Sequence, residues 1–206
     1  GSGAGIVCPV DDSGKVVSSK SWTMEAWVRM HGEPKAHSVG IPTTILFKST
    51  APSEGAQPQI ELLVHPNGAL QLIVYTQPRR QGKSSRPLKT SLNQRTSLWL
   101  TNEKWFHVAA TVSAVSSGRA EICLYVNGDF VSVDYVPLDK YRPVSERDAA
   151  PAGPLRIGCA GLLGGGFHGN IRHVRYWQGA RTQSDIRDSM HTSSPTLVSS
   201  GSVSGN

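Results

Sequence analysis

Apolar and polar residues alternate along several short stretches of this 206-residue chain. Over residues 21–30, Trp22, Met24, Ala26, Val28 and Met30 share one side of an extended chain, and Thr23, Glu25, Trp27 and Arg29 share the other. A period of two over that length predicts a half-buried strand. Residues 105–111 and 121–128 are two more such stretches, and the second ends in Asn127-Gly128, a pair suited to the tight turn of a hairpin. Residues 43–48 (TTILFK) are β-branched and apolar and predict another strand. Residues 59–65 and 69–75 flank Pro66-Asn67-Gly68 and read as a complete hairpin. Apolar residues lie on both faces of each arm, so this hairpin should be central in its sheet or covered on both sides. Shorter strands are predicted over 4–10, 155–159 and 170–177, and Leu98-Trp99-Leu100 leads from a polar loop into the strand at 105. Thr182-Gln183-Ser184-Asp185 has the Ser/Thr-x-x-acid form of a helix start, which predicts a short capped helix over 182–190.

Many strands and a single helix imply an all-β fold, and a chain of this length suffices for one sandwich domain. Gly1-Ser2-Gly3 reads as a cloning scar, residues 4–191 as one domain, and the Ser/Gly-rich residues 192–206 as a tail or linker. No run of 18 apolar residues occurs, so no membrane span is predicted. The net charge of +6 has a local origin. Residues 76–97 read as a basic loop insertion holding Arg79, Arg80, Lys83, Arg86, Lys89 and Arg95 with no acid, while the remaining chain carries 15 basic and 15 acidic residues. Arg79, Arg80, Lys83, Arg86 and Lys89 are candidate contacts to an acidic partner or an anionic surface, and a solvated insertion is the bland alternative. Ser84 and Ser85 within it suit a basophilic kinase, and phosphates there would cancel part of the charge.

Five pieces of sequence, in order, resemble the laminin-G-like jelly roll of the concanavalin A-like superfamily, which also holds the pentraxins. They are Ser21 to Val28, Lys104 to Thr111, Leu124 to Gly128, Leu155 to Gly158, and Phe167 to Trp177 with the short helix that follows. The resemblance implies a two-sheet antiparallel jelly-roll sandwich with one short C-terminal helix. Pentraxins typically bridge the first of these strands to the Trp-x-His-Val strand by a disulfide, and the matching positions here are Ala26 and Ala109. The cysteine that laminin G domains often carry after Phe-x-Gly is replaced by Asn170. With only Cys8, Cys123 and Cys159 in the chain and no Asn-x-Ser/Thr sequon, an intracellular, reducing location is favoured over an extracellular one. The acids of a pentraxin calcium site are missing too, because residues 159–177 contain no Asp or Glu.

Catalytic and metal chemistry find little support. Glycanases of this sandwich place three carboxylates on one strand face, but Glu146-Arg147-Asp148 is followed by Ala149, Ala150 and Pro151. The seven histidines show no His-x3-His or His-Glu-x-x-His spacing, and no cofactor is predicted. Trp27, Trp105 and Trp177 coincide with core positions of the resembling family, whereas Trp22 and Trp99 are candidates to stack on a ligand such as a sugar. The sequence therefore predicts a non-catalytic binding module of a larger protein that mediates protein–protein interaction. The alternative is a calcium-independent carbohydrate-binding module.

Overall fold

The computed structural model describes residues 6–8, 21–31, 41–49, 58–65, 67–75, 91–100, 103–115, 119–137, 155–158 and 165–192. Its elements in chain order are β1 (Ile6–Cys8), β2 (Trp22–Met30), β3 (Thr43–Ser49), β4 (Pro58–Val64), β5 (Ala69–Tyr75) and β6 (Ser91–Trp99). Then come β7 (Trp105–Val115), β8 (Arg119–Val126), β9 (Asp129–Pro137), β10 (Leu155–Ile157), β11 (Gly165–Gly166), β12 (Gly169–Gln178) and α1 (Gln183–Ser189). They form two sheets. A seven-stranded sheet runs β1-β10-β3-β4-β5-β6 with β11 added beside β3, and a five-stranded sheet runs β12-β2-β7-β8-β9. Every pairing is antiparallel except the short one between β11 and β3. This is the predicted jelly-roll sandwich, with its one short C-terminal helix.

The alternation predicted for β2 decides which side faces the core. Trp22, Met24, Ala26 and Val28 meet Val108, Ala110 and Val112 of β7 and Ile122, Leu124 and Val126 of β8 on the inner side. Leu46, Ile60, Leu62, Val64, Leu70, Leu72 and Val74 of the other sheet complete the same cluster. Each large apolar side chain so enclosed contributes about 1.5–3 kcal/mol. The hairpin of β4 and β5 is central, as its two apolar faces require. Leu63 and Ile73 are as buried on its outer side as Leu62 and Leu72 are on its inner side.

The turn between β8 and β9 uses both residues of the Asn-Gly pair. Asn127 has φ 53° and Gly128 φ 77°, so both central residues adopt the left-handed backbone of a tight hairpin. Asn127 also ties the hairpin to β7: its N–H donates to the His107 carbonyl at 2.7 Å, and its Oδ1 accepts from the His107 N–H at 2.9 Å. Helix α1 lies on the outer side of the five-stranded sheet, with Ile186 packed among Ala109, Cys123 and Tyr125. Thr182 caps it in the predicted capping box, accepting from the Asp185 N–H while Asp185 accepts from the Thr182 N–H at 3.0 Å. The Thr182 hydroxyl also donates to Asp185 Oδ2 at 2.8 Å, and it and then the Thr182 N–H hold the Asp185 carboxyl below its ordinary range.

Two expectations change here. Residues 91–97, expected within the basic loop, belong instead to the strand Ser91–Trp99 paired with β5, and Arg95 registers with Gln71. Trp22 is wholly buried between the sheets and stacks on Tyr176 at 6.4 Å, so it is no platform for a ligand. Ala26 and Ala109, compared above with a bridged cysteine pair, do not face each other. Ala109 registers with Glu25, and Ala26 packs in the core while Ala109 packs under α1.

Candidate functional site

Polar and aromatic side chains on the outer face of the five-stranded sheet fall in three zones. The middle zone lies beneath the end of α1. Glu25 of β2, with no exposed surface, accepts on Oε1 from Arg175 Nη1 at 3.1 Å and from Trp177 Nε1 at 3.0 Å. Its Oε2 sits 3.7 Å from His107 Nε2, and among the described residues neither that oxygen nor the two imidazole nitrogens has a hydrogen-bond partner. Burial, opposed by the Glu25 charge and aided by Arg175 and His191, pushes His107 down to about 4, so it is neutral at ordinary pH. Arg175 also donates to the carbonyls of Ser189 and Thr192, and Trp27 Nε1 donates to the Met190 carbonyl at 2.7 Å. Three carbonyl acceptors, those of Ser189, Met190 and Thr192, thus pin the end of α1 and the chain after it to the sheet. The buried Glu25–Arg175 pair is the fastening here, and the neutral His107 packs beside it.

A bulge in β12 sets the second zone. Arg172 registers with Trp27 and Arg175 with Glu25, so two residues of β12 lie opposite Ala26 alone. His173, at φ 52°, absorbs the excess. In an unbroken strand, residues three apart face opposite ways. The bulge instead leaves both arginines on the outer face. Arg172 lies over the Trp105 ring at 4.1 Å and near Trp27 at 5.8 Å, and Arg29 approaches Trp105 from 5.3 Å. Arg29 donates from Nη2 to Asn170 Oδ1 at 2.8 Å, and His31 Nε2 reaches the same oxygen at 2.6 Å. His31 Nδ1 faces both Glu103 oxygens at 3.1 Å. Gly169 makes this corner possible, since a Cβ there would stand 2.1 Å from the Arg29 carbonyl oxygen.

The third zone is edge strand β9. Phe130, Val133 and Tyr135 are 47%, 38% and 50% exposed, beside Tyr125, Cys123 and Glu121 of β8 in register. Phe130 meets Tyr125 edge to face at 5.9 Å. The Cys123 thiol is pushed up to about 11 by burial and by Glu121, which makes it an inert packing residue. The opposite sheet differs. On the outer side of its strands, Thr44, Glu61, Leu63, Gln71 and Ile73 are all buried, with Thr44 donating to Glu61 at 3.0 Å and His65 paired to Gln71.

Of the residues singled out from sequence, Arg79, Arg80, Lys83, Arg86 and Lys89 lie outside the described residues. Trp99 ends β6 opposite Ala69, and its side chain lies outside the described set. Trp27, Trp105 and Trp177, expected in the core, are half-buried on the outer face instead. The sequence signal for this was present: Trp27 alternates with the core residues of β2, whereas Trp22 shares their side. Among the described residues, no group of three histidine, cysteine or acidic side chains could share a metal ion, and no helix is long and apolar enough to cross a membrane.

A family model described as the concanavalin A-like lectin/glucanases superfamily matches residues 2–187. Solved structures share the fold at low identity. The carbohydrate-binding module CBM40 of the Ruminococcus gnavus IT-sialidase, bound to alpha2,3 sialyllactose, aligns with TM-score 0.62 and 11% identity over 91% of this chain and 92% of its own. Domain 4 of the Geobacillus stearothermophilus arabinanase AbnA, in complex with arabinotriose, aligns with TM-score 0.57 and 22% identity over 89% and 71%. The heptameric SAP-like pentraxin of Limulus polyphemus aligns with TM-score 0.55 and 14% identity over 83% and 70%. No curated protein matches the sequence.

Proposed function

We propose that this chain, which belongs to the concanavalin A-like lectin/glucanases superfamily, is a non-catalytic binding module that docks a protein partner through strand β9. The observation that carries the reading is the exposed stripe of Phe130, Val133 and Tyr135 on the outer face of that edge strand. Scattered surface apolar residues mean little, but three neighbours on one strand face form a patch of the kind that marks interaction sites. Aromatic anchors of this type carry much of the binding energy at protein interfaces. The test replaces Phe130 and Tyr135 together by serine and compares partners captured from cell extract with those of the parent chain. A set of partners lost with the stripe, at unchanged melting temperature, is the expected result. An identical set captured by both chains would remove β9 as the docking surface.

A specific observation favours a second reading, calcium-independent carbohydrate binding. Trp105 and Trp27 stand half-exposed beside Asn170, His31 and two arginines, the mixture of aromatic surface and polar donors that sugar recognition uses. Among the structures of like fold, the sialidase module and the arabinanase domain are bound to saccharides. Helix α1 and the residues pinned behind it separate this surface from β9, so the two readings concern different sites.

A further inference from the structure

At the exposed end of the five-stranded sheet, positive charge goes unanswered. Arg172 is exposed and, among the described residues, has neither a hydrogen-bond acceptor nor a carboxylate partner. Its guanidinium lies over Trp105. A guanidinium stacked on an indole keeps its N–H edge free for a ligand while the ring limits its motion, so little side-chain entropy remains to be lost on binding. Arg29 beside it is turned to Asn170 through Nε at 3.3 Å and Nη2 at 2.8 Å. Asn170 Oδ1 accepts from Arg29 and faces His31 Nε2, which fixes the amide and leaves its NH2 as a second donor at an exposed position. Glu103, the acid of this corner, is held on His31 Nδ1. Among the described residues, Arg29, Arg172 and the exposed Lys104 therefore outnumber the acids around Trp105.

We infer that this surface binds the carboxylate of an acidic sugar residue, a uronic or a nonulosonic acid, an inference that rests on the carbohydrate reading above. Arg172 supplies the two parallel N–H donors that match a planar carboxylate, and the Asn170 amide supplies a further donor to the ring substituents. The indole edges of Trp105 and Trp27 give the apolar side of the sugar something to lie against. Arg172 reaches this position through the His173 bulge, and Gly169 lets β12 approach β2 closely enough to bring Asn170 to Arg29. The site differs in kind from a cation-dependent one, because its own guanidinium holds the anion directly.

Isothermal titration of the intact chain tests this with five probes: an oligosaccharide ending in a hexuronate, one ending in a nonulosonate, the carboxyl-reduced counterpart of each, and a sulfated oligosaccharide. Binding of either acidic probe, at least about tenfold tighter than its reduced counterpart, is the expected result, and which one binds identifies the source of the carboxylate. Arg172→Gln should weaken that binding by about tenfold or more, and Arg172→Lys should recover only part of it, since a lysine keeps the charge and loses the fork. Equal binding of acidic and reduced probes would overturn the carboxylate assignment while the carbohydrate reading stands. Tightest binding of the sulfated probe, with Arg172→Lys as good as the parent, would overturn the fork. No heat from any saccharide would remove both readings together.

Discussion

Arg172 and Arg175 sit three residues apart on β12 and face the same side of the same sheet, yet they live in opposite worlds. Arg175 is 8% exposed, bonded to Glu25, and covered by the chain that follows α1. Arg172 is exposed, stacked on Trp105, and has no acid partner among the described residues. A buried guanidinium demands a carboxylate and hydrogen-bond acceptors, because desolvation is otherwise prohibitive. An exposed one demands nothing, since water solvates it. The fold spends its acid, Glu25, where burial requires it and leaves the neighbouring cation available. The same residue type is thus a fastening in one row and an exposed cation in the next, and the cover of α1 decides which is which.

The strongest way to break the comparison is to unpair the buried row. Arg175→Ala leaves the Glu25 carboxylate enclosed with only the Trp177 indole N–H as donor, and should cost about 3–5 kcal/mol. Chemical denaturation reads this directly, and a loss below about 1 kcal/mol would mean the row is not a fastening. Next comes pH. Burial holds His107 near 4 in the folded chain, against an ordinary 6.5. Between those values the unfolded chain binds a proton that the folded chain refuses. Stability is therefore complete above about pH 6.5, falls as pH drops toward 4, and loses up to about 3 kcal/mol from this group. His107→Gln should flatten that part of the profile relative to the parent. A parallel profile in the variant would assign the acid sensitivity elsewhere.

These groups also show where the sequence was readable. The alternation of β2 names its inner residues in order, the Asn127-Gly128 turn fixes the β8–β9 hairpin, and the capping box announces α1. Each is a local signal with a local physical cause. Alternation also placed Trp22 with Met24 and Ala26, so its burial was legible, although an aromatic near a strand end suggested a platform. The strand Ser91–Trp99 was not legible over most of its length, since Ser91 to Ser97 is almost wholly polar and its pairing with β5 supplies the order. The His173 bulge was invisible as well. It exists only in the register of β12 against β2, and without it Arg172 and Arg175 would read as facing opposite ways. The candidate site depends on that register, which is why periodicity gave the fold and missed the ladder of Trp27, Arg172, Trp105 and Arg29.

A smaller effect isolates the cover itself. Thr182→Ala removes the hydroxyl that accepts from the Asp185 N–H and should cost about 1 kcal/mol. Because α1 and the chain behind it roof the buried row, hydrogen exchange at residues 183–192 should rise more than at β4 and β5. Uniform exchange across the sandwich would show that the helix does not open separately from the sheets.

The smallest expected change sharpens the comparison most. Arg172→Ala deletes stacking on Trp105 and no hydrogen bond within the described protein, so it should lower stability by only about 0.5–1 kcal/mol. The same substitution three residues later is expected to cost several times as much, although both side chains are arginines on one sheet face. Melting curves of the two variants, measured side by side at neutral pH, give the ratio. If they match, the sheet treats the two rows alike and the cover of α1 is energetically irrelevant. If Arg172→Ala is nearly silent while Trp105 fluorescence shifts to the red, the stack is real, the guanidinium shields the indole from water, and its charge contributes little to holding the fold together.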